Sequence, residues 1–172
     1  MKRHVLLVGL PGCGKSAVGK LVADGLPAPL LDIDSILVRQ MGMPVAQIFG
    51  MVGEPRFRAM ERDAVATAQA REPAVIIPGA GWAAQPGQMA EAKAACLIIY
   101  LKCGVATAAR RSEQGEVRPL LTGADPVERV RALLAAREPF YKLADYEVSA
   151  DVKAAPEVAS EVIRLARTHG GW

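Results

Sequence analysis

The chain has 172 residues, of which 51% are hydrophobic and 23% are charged, and its formal net charge is +3. This length suits one domain with a substantial core, and no apolar run approaches the roughly 20 residues of a membrane-spanning helix. The small charge does not indicate nucleic-acid binding, and three cysteines without metal-ligand spacing indicate neither a zinc site nor a disulfide framework. The basic N-terminal residues are followed by only a short apolar stretch, unlike those of a signal peptide, so we expect a cytoplasmic protein. The net charge of +3 is compatible with small anionic ligands.

Apolar strands alternate with helices along the whole chain. Strands are predicted at residues 4–8, 30–33, 74–77, 96–101 and 146–148. Helices are predicted at residues 16–26, 55–71, 88–95, 105–112, 126–143 and 156–168. This alternation is typical of a parallel sheet covered on both faces. We therefore predict an α/β fold, a three-layer α/β/α sandwich around a five-stranded parallel sheet.

One polar stretch interrupts the alternation. Residues 114–124 contain two glycines and a proline and separate two predicted helices. This composition is typical of an exposed, mobile loop. Without repeats or a low-complexity linker elsewhere, we expect a single domain over residues 1–172.

A phosphate-binding pattern follows the first predicted strand. Residues 9–16 read Gly-Leu-Pro-Gly-Cys-Gly-Lys-Ser, which matches G-x-x-x-x-G-K-[ST] and leads directly into a predicted helix. Glycines let backbone N–H groups surround phosphates, and the helix N-terminus adds a favourable dipole. We expect Lys15 to meet the β- and γ-phosphates and the Ser16 hydroxyl to bind Mg²⁺. The predicted nucleotide-binding residues here are Gly12, Cys13 (a small filler), Gly14, Lys15, Ser16 and Ala17.

Two carboxylates flank Ile33 at the expected end of the second strand. Because side chains alternate along a strand, Asp32 and Asp34 would point to one side, at the edge where open α/β sheets bind ligands. One carboxylate would serve Mg²⁺ and the other would accept a proton or hydrogen bond from an acceptor hydroxyl. The alternative is that the strand simply ends here and Asp34 caps a following helix.

Further motifs follow in order. They are Gly53-Glu54, Phe57-Arg58 with Glu61, Gly79-Ala80-Gly81, Arg118-Pro119-Leu120-Leu121, and Arg137-Glu138-Pro139-Phe140-Tyr141 followed by Ala144-Asp145. With the phosphate loop and the two aspartates, these motifs make the chain resemble the shikimate kinases over nearly its whole length. The resemblance implies the P-loop fold in its nucleoside-monophosphate-kinase arrangement, with ATP and Mg²⁺, a substrate-binding helical segment at 34–71 and a lid at 114–124. It also implies a monomer.

The resemblance assigns roles on the acceptor side. Asp34 would hold the shikimate hydroxyls and orient or deprotonate the attacking one. Arg58 and Arg137 would grip the carboxylate, a task that suits a planar guanidinium. Glu61 would steady Arg58 from three residues further along the same helix. The substrate-binding residues implied in this way are Asp34, Arg58, Glu61, Gly79, Ala80, Gly81 and Arg137.

On the nucleotide side the resemblance adds two arginines. Arg118 would descend with the lid and neutralise charge that develops on the phosphates. Arg110 matches the arginine that contacts adenine in the family. Asp32 would join Ser16 at the metal. The neighbouring Arg111 has no such context and is interpreted as surface charge.

The chain departs from the family pattern at one position. The family usually has three consecutive glycines after the third strand, whereas this chain has Ala80 between Gly79 and Gly81. A methyl group restricts positive φ and adds bulk beside the expected acceptor site. Ala80 is therefore the residue at which the affinity for the acceptor, or the identity of the acceptor, could differ from the family.

The expected reaction is in-line phosphoryl transfer from MgATP to a hydroxyl of shikimate, with Lys15, Asp34 and Arg118 as the catalytic groups. One alternative is a kinase of the same architecture that acts on another small hydroxy acid, such as gluconate. A second is a nucleotide-binding module without turnover. A binding module has no need of an acceptor-side aspartate, so Asp34 favours an enzyme.

Overall fold

The computed structural model describes residues 1–79, 81–113 and 125–172. The predicted lid at 114–124, with Arg118, and the Ala80 position lie outside the described residues. No helix among the described residues has the length and apolar character needed to cross a membrane.

The strands form one parallel sheet. They span His4–Val8 (β1), Leu30–Asp32 (β2), Val75–Ile77 (β3), Cys96–Lys102 (β4) and Tyr146–Ser149 (β5). Their order across the sheet is β2-β3-β1-β4-β5, and every pairing is parallel. The central position of β1 places the loop that follows it between the carboxyl ends of two neighbouring strands, where open α/β sheets bind ligands.

Helices fill the connections between the strands. They span Lys15–Gly25 (α1), Ile33–Met41 (α2), Val45–Val52 (α3), Glu54–Gln69 (α4), Gln88–Ala92 (α5), Val105–Glu113 (α6), Pro126–Tyr141 (α7) and Ala155–His169 (α8). A short 3₁₀ turn covers Trp82–Ala84. The structure confirms the predicted α/β fold with its five-stranded parallel sheet.

Burial shows that both faces of the sheet are covered. Every residue of β1 is buried, as are the first six residues of β4. Helices α1 and α8 pack on each other, α1 also against β3, and α8 also against β4 and β5. Such continuous apolar strands need helices on both sides, which is the physical reason that their sequences lack an inside–outside alternation.

The region after β2 differs from the prediction. The strand ends at Asp32, and α2 begins at Ile33. The Asp32 carboxylate accepts a hydrogen bond from the backbone N–H of Ser35, so Asp32 is the helix cap and Asp34 lies in the first helical turn. The prediction that both aspartates lie on one strand was therefore wrong. Helices α2 and α3 were not individually predicted because each is short, at nine and eight residues.

Candidate active site

The phosphate loop begins directly after β1, which ends at Val8, and leads directly into α1, which begins at Lys15. Gly14 has a φ of 87°, a left-handed conformation that glycine adopts without steric cost, and the helix begins at Lys15. The first backbone N–H groups of α1 have no partner within the helix, so they are available to an anion placed at its start. This is the cradle that the sequence pattern predicts.

Lys15 is held over this loop by main-chain oxygens. Its ammonium group donates to the carbonyl oxygens of Gly9 and Leu10, at 2.8 Å in each case, and only 8% of the residue is exposed. The side chain also lines the cavity beside the loop. Its positive charge is thus fixed at the cavity wall and not free to extend into solvent.

Ser16 and Asp32 form the oxygen-rich end of the cavity. The Ser16 hydroxyl donates to Asp32 Oδ2 at 2.8 Å. A hydroxyl and a carboxylate are hard oxygen ligands, and Mg²⁺ commonly uses only one or two protein ligands together with substrate phosphates. The pair therefore fits Mg²⁺. Within the described residues, no group of three or more His, Cys, Asp or Glu side chains forms a metal site by itself.

The two aspartates line the same cavity although they do not share a strand. This cavity has a volume of about 210 Å³ and is bounded by the phosphate loop on one side. Asp34, Ile77 and Gly79 line it as well. The turn of α2 that follows the Asp32 cap brings the Asp34 carboxylate there. The nucleotide side and the predicted acceptor side therefore meet in one space.

Gly79 separates the carboxylates of Asp34 and Glu61. Its φ is +74°, and a Cβ built on it would lie 2.5 Å from Glu61 Oε1 and 3.0 Å from Asp34 Oδ1. The first distance is shorter than real Cβ contacts and the second is tight, so a side chain here would displace the Glu61 carboxylate and crowd Asp34, and the positive φ adds to the preference for glycine. The backbone after β3 thus approaches two acidic side chains directly.

Arg58 lies in a largely buried position on α4. It donates from Nη1 to Glu61 at 2.7 Å, and its Nη2 lies 3.6 Å from a Glu54 carboxylate oxygen. The guanidinium also lies near the rings of Phe49 and Phe57, with its Cζ 6.0 Å and 5.6 Å from the ring centres. These contacts hold the plane of the guanidinium, which suits it to bind a carboxylate with paired hydrogen bonds.

The second acceptor-side arginine comes from α7. Arg137 is buried, and it lies one helical turn before the buried Tyr141 on the same helix. Burial raises the pKa of Tyr141 to about 12, with Arg137 opposing that shift. Tyr141 therefore remains a neutral hydrogen-bonding partner at physiological pH.

Glu61 connects the acceptor-side charges. Burial raises the pKa of this carboxyl to about 7, opposed by Arg58 and Arg137 and reinforced by Asp34. The Glu61 carboxyl is therefore close enough to the Arg58 and Arg137 guanidinium groups and to the Asp34 carboxylate to be influenced by their charges. The structure therefore brings Asp34, Glu61, Arg58, Arg137 and Gly79 into one electrostatic cluster.

Arg111 is a cavity residue that sequence reasoning missed. It lines the cavity beside the phosphate loop, and its Nη1 lies 3.8 Å from a Cβ built on Gly14. The neighbouring Arg110, which the resemblance assigned to adenine, is exposed. The interpretation of Arg111 as surface charge was wrong, because the rotation of α6 turns this side chain toward the loop. Its helical spacing from buried Ala108, at i and i+3, was the available signal.

The thiols of Cys13 and Cys103 form a contact between the phosphate loop and the end of β4. Both residues are buried, and the Lys15 ammonium group donates to Cys13 Sγ at 3.8 Å. The neighbouring Cys103 thiol lowers the pKa of Cys13, with a further contribution from the Lys15 charge. Cys13 therefore fills the space under the loop, as predicted from its size, but it does so together with a second thiol.

Known proteins are similar to this chain over nearly its whole length, including the residues that line the cavity. A family model described as shikimate kinase matches residues 11–167. The shikimate kinase of Caldanaerobacter subterraneus subsp. tengcongensis is 39% identical over 162 residues, 94% of this chain and 95% of that protein. Among solved structures, a shikimate kinase from Acinetobacter baumannii in complex with shikimate has a TM-score of 0.92 and 29% identity. That match covers 98% of this chain and 94% of the solved one.

A gluconokinase from Sinorhizobium meliloti 1021 also matches the structure. Its TM-score is 0.66 and its identity is 16%, over 98% of this chain and 94% of that one. At this identity the likeness shows a shared fold alone. It gives no support to gluconate over shikimate as the acceptor.

Proposed function

Because this chain belongs to the shikimate kinase family, we propose that it transfers the γ-phosphoryl group of ATP to a hydroxyl of shikimate, giving shikimate 3-phosphate and ADP. The observation that carries the proposal is that Asp34 and Gly79 line the same cavity as the phosphate loop. A phosphate loop alone would serve many reactions. The Arg58–Glu61 pair beside that cavity adds a place for an acceptor that carries both a carboxylate and hydroxyls.

On the nucleotide side, the backbone N–H groups from Gly12 to Ala17 hold the phosphates, and Lys15 places its charge against the β- and γ-phosphates. Ser16 and Asp32 would hold Mg²⁺, which would neutralise phosphate charge when bound. The carbonyl oxygens of Gly9 and Leu10 keep the Lys15 ammonium group in place for this role.

On the acceptor side, Arg58 and Arg137 bind the carboxylate of shikimate. Asp34 accepts a hydrogen bond from the attacking hydroxyl and so orients its oxygen. Asp34 takes up the hydroxyl proton as the new P–O bond forms and the bond from the γ-phosphorus to the ADP oxygen breaks. Gly79 and Gly81 let the backbone approach the substrate, and Ala80 would lie between them. Glu61 acts through Arg58, whose guanidinium it holds.

The rate enhancement comes mainly from alignment and charge stabilisation. The transition state of phosphoryl transfer spreads negative charge over the transferring group, so fixed positive charges lower its energy. Lys15 supplies one such charge from the loop, and we expect Arg118 of the predicted lid to supply another. The family resemblance predicts that Arg110 contacts adenine. Arg111 is the stronger candidate for a nucleotide contact, because it lines the cavity beside the phosphate loop whereas Arg110 is exposed.

The direct test is ADP release from MgATP by the purified protein, followed in a coupled assay with and without shikimate. We expect release to depend strongly on shikimate and to be lost in Asp34→Asn and in Lys15→Ala. Asp34→Asn keeps the size of the side chain but removes the proton acceptor, so near-normal turnover in this variant would contradict the assigned role.

A substrate panel separates shikimate from other hydroxy acids. Gluconate and shikimate are assayed side by side at equal concentrations. A preference for gluconate would retain the kinase chemistry and overturn the acceptor, whereas tight ATP binding without turnover on either acid would favour a binding module. We further propose a monomer, which light scattering on the eluting peak of a sizing column would test.

A further inference from the structure

The 3₁₀ turn Trp82–Ala84 lies between the two helices that carry the acceptor-side arginines. It contacts α4, which carries Arg58, and α7, which carries Arg137, and it also contacts α5. Trp82 and Ala83 are both buried in this position. Any displacement of the turn would therefore change the surroundings of the acceptor site without touching the phosphate loop.

The backbone at Gly81, just before the turn, packs against the guanidinium of Arg58. A Cβ built on Gly81 would lie 2.5 Å from Arg58 Cζ, so the guanidinium rests against the bare Cα of this glycine. On its other side Arg58 is held by Glu61. The position of the guanidinium thus depends on its own helix and on the backbone at Gly81.

Two glutamine side chains hold the carbonyl groups of this backbone. Gln88 donates from Nε2 to the Trp82 carbonyl oxygen at 2.6 Å, and this hydrogen bond is buried. Gln85 donates to the Gly81 carbonyl oxygen at 3.3 Å in a partly buried position. The Trp82 carbonyl oxygen also accepts from the backbone N–H of Gln85 at 3.3 Å, so loss of the shorter, buried Gln88 bond would weaken its restraint without leaving it unpaired.

The backbone of Gln88 is held in place by the packing of α5. Gln88 is the first residue of α5, where Met89 and Ala92 are buried in the core, and only 8% of the residue is exposed. An amide with a fixed backbone and a short hydrogen bond restrains its partner more effectively than a mobile surface side chain. Gln85, with its longer bond, is the weaker of the two restraints.

We infer that Gln88 is a positioning residue for acceptor binding, which acts by fixing the Gly81–Trp82 backbone and thereby the guanidinium of Arg58. The inference rests on the proposed function, because it assigns Arg58 to the carboxylate of the acceptor. Gln88 itself does not touch the reacting atoms. Its effect is expected in the KM for shikimate and not in the KM for ATP.

Gln88→Met tests the inference, because it preserves the length of the side chain and removes the amide donor. We expect the KM for shikimate to rise about fivefold, the fold-change that corresponds to the loss of one hydrogen bond. The KM for ATP and kcat are expected to change less than about twofold. Gln85→Met is expected to produce a smaller rise, in keeping with its longer and less buried bond.

Two controls separate positioning from a loss of stability. Ala92→Gly weakens the same helix at a buried site but leaves both amide donors in place, so it lowers Tm without raising the KM for shikimate. The second control is Gln88→Met in the Arg58→Ala background. If Gln88 acts through Arg58, its substitution there changes the KM for shikimate less than about twofold.

The outcomes distinguish the inference from the proposed function. Absence of shikimate turnover in the unmodified chain overturns the proposed function and the inference with it. Normal turnover in the unmodified chain, with an unchanged shikimate KM in Gln88→Met, overturns the inference alone. Full additivity of Gln88→Met with Arg58→Ala also overturns it, as does an equal rise in Ala92→Gly.

Discussion

Arg58 and Glu61 form a hydrogen-bonded ion pair at 2.7 Å in a region where only 12% and 2% of their side chains are exposed. They are three residues apart on α4, so the helix itself brings them together. The pair is not isolated, since Asp34 and Arg137 also influence Glu61. Its protonation state therefore affects the whole acceptor side.

The first prediction concerns the pH dependence of stability. Burial raises the pKa of Glu61 from 4.5 to about 7, so the folded protein binds a proton that the unfolded chain has already released. The stability that comes from this proton is complete below the unfolded pKa and is lost as pH rises through the folded pKa. Between about pH 5 and about pH 8 the unmodified protein should lose roughly 2 to 3 kcal/mol through this group.

Glu61→Gln removes this titration. Urea denaturation of both proteins at the two pH values measures the difference. We expect the free energy of unfolding of the unmodified protein to fall by that amount more than the free energy of the variant. Parallel pH dependences in the two proteins would show that Glu61 is ionised in the folded state throughout the range.

The second prediction concerns the glycine between the two carboxylates. Gly79→Ala would place a methyl group 2.5 Å from a Glu61 oxygen, and we expect the KM for shikimate to rise at least about tenfold because Asp34 and Glu61 must move. Gly42→Ala is the matched control. Gly42 also has a positive φ, at +69°, but a Cβ there would meet nothing within 4 Å.

Both substitutions strain the backbone, so both are expected to lower stability by about 1 kcal/mol or more. Only Gly79→Ala should weaken acceptor binding. Steady-state kinetics with varied shikimate, together with thermal melting, measures the two effects separately. An equal change of KM in both variants would assign the effect to strain and not to the collision.

The third prediction compares two neighbouring arginines. Arg111 lines the cavity beside the phosphate loop, whereas Arg110 is exposed. We expect Arg111→Ala to raise the KM for ATP about tenfold, in keeping with loss of a charge-assisted contact, and Arg110→Ala to change it less than about twofold. The reverse order would restore the assignment of Arg110 that the family resemblance implies.

The fourth prediction concerns the oxygen pair at the start of α1. Ser16→Ala removes the hydroxyl that donates to Asp32, and with it a proposed ligand of Mg²⁺. We expect kcat to fall more than about tenfold and the Mg²⁺ concentration for half-maximal rate to rise. Ser160→Ala, at an exposed position on α8, is the control. An unchanged Mg²⁺ dependence in Ser16→Ala would remove Ser16 from the metal site.

The sequence by itself determined the phosphate loop, the strands and six of the eight helices that the structure describes. These features depend on neighbours along the chain: glycines that permit the loop, apolar runs that become buried strands, and helical spacing that brings Glu61 beside Arg58. Each is decided by local sterics and hydrogen bonding. For this reason the predicted elements and the parallel sheet agree with the structure, apart from shifts of a few residues at their ends.

Only the tertiary structure decided which side chains meet across elements. The sequence placed Asp34 on a strand because the cap formed by Asp32 could not be distinguished from one more strand residue. The spacing of Arg111 from Ala108 was a signal, but the sequence did not show that this face of α6 meets the phosphate loop. It also gave no reason to connect Gln88 with the backbone beneath Arg58. These relationships depend on the rotation and packing of helices against the sheet, which arise from contacts between residues far apart in the chain.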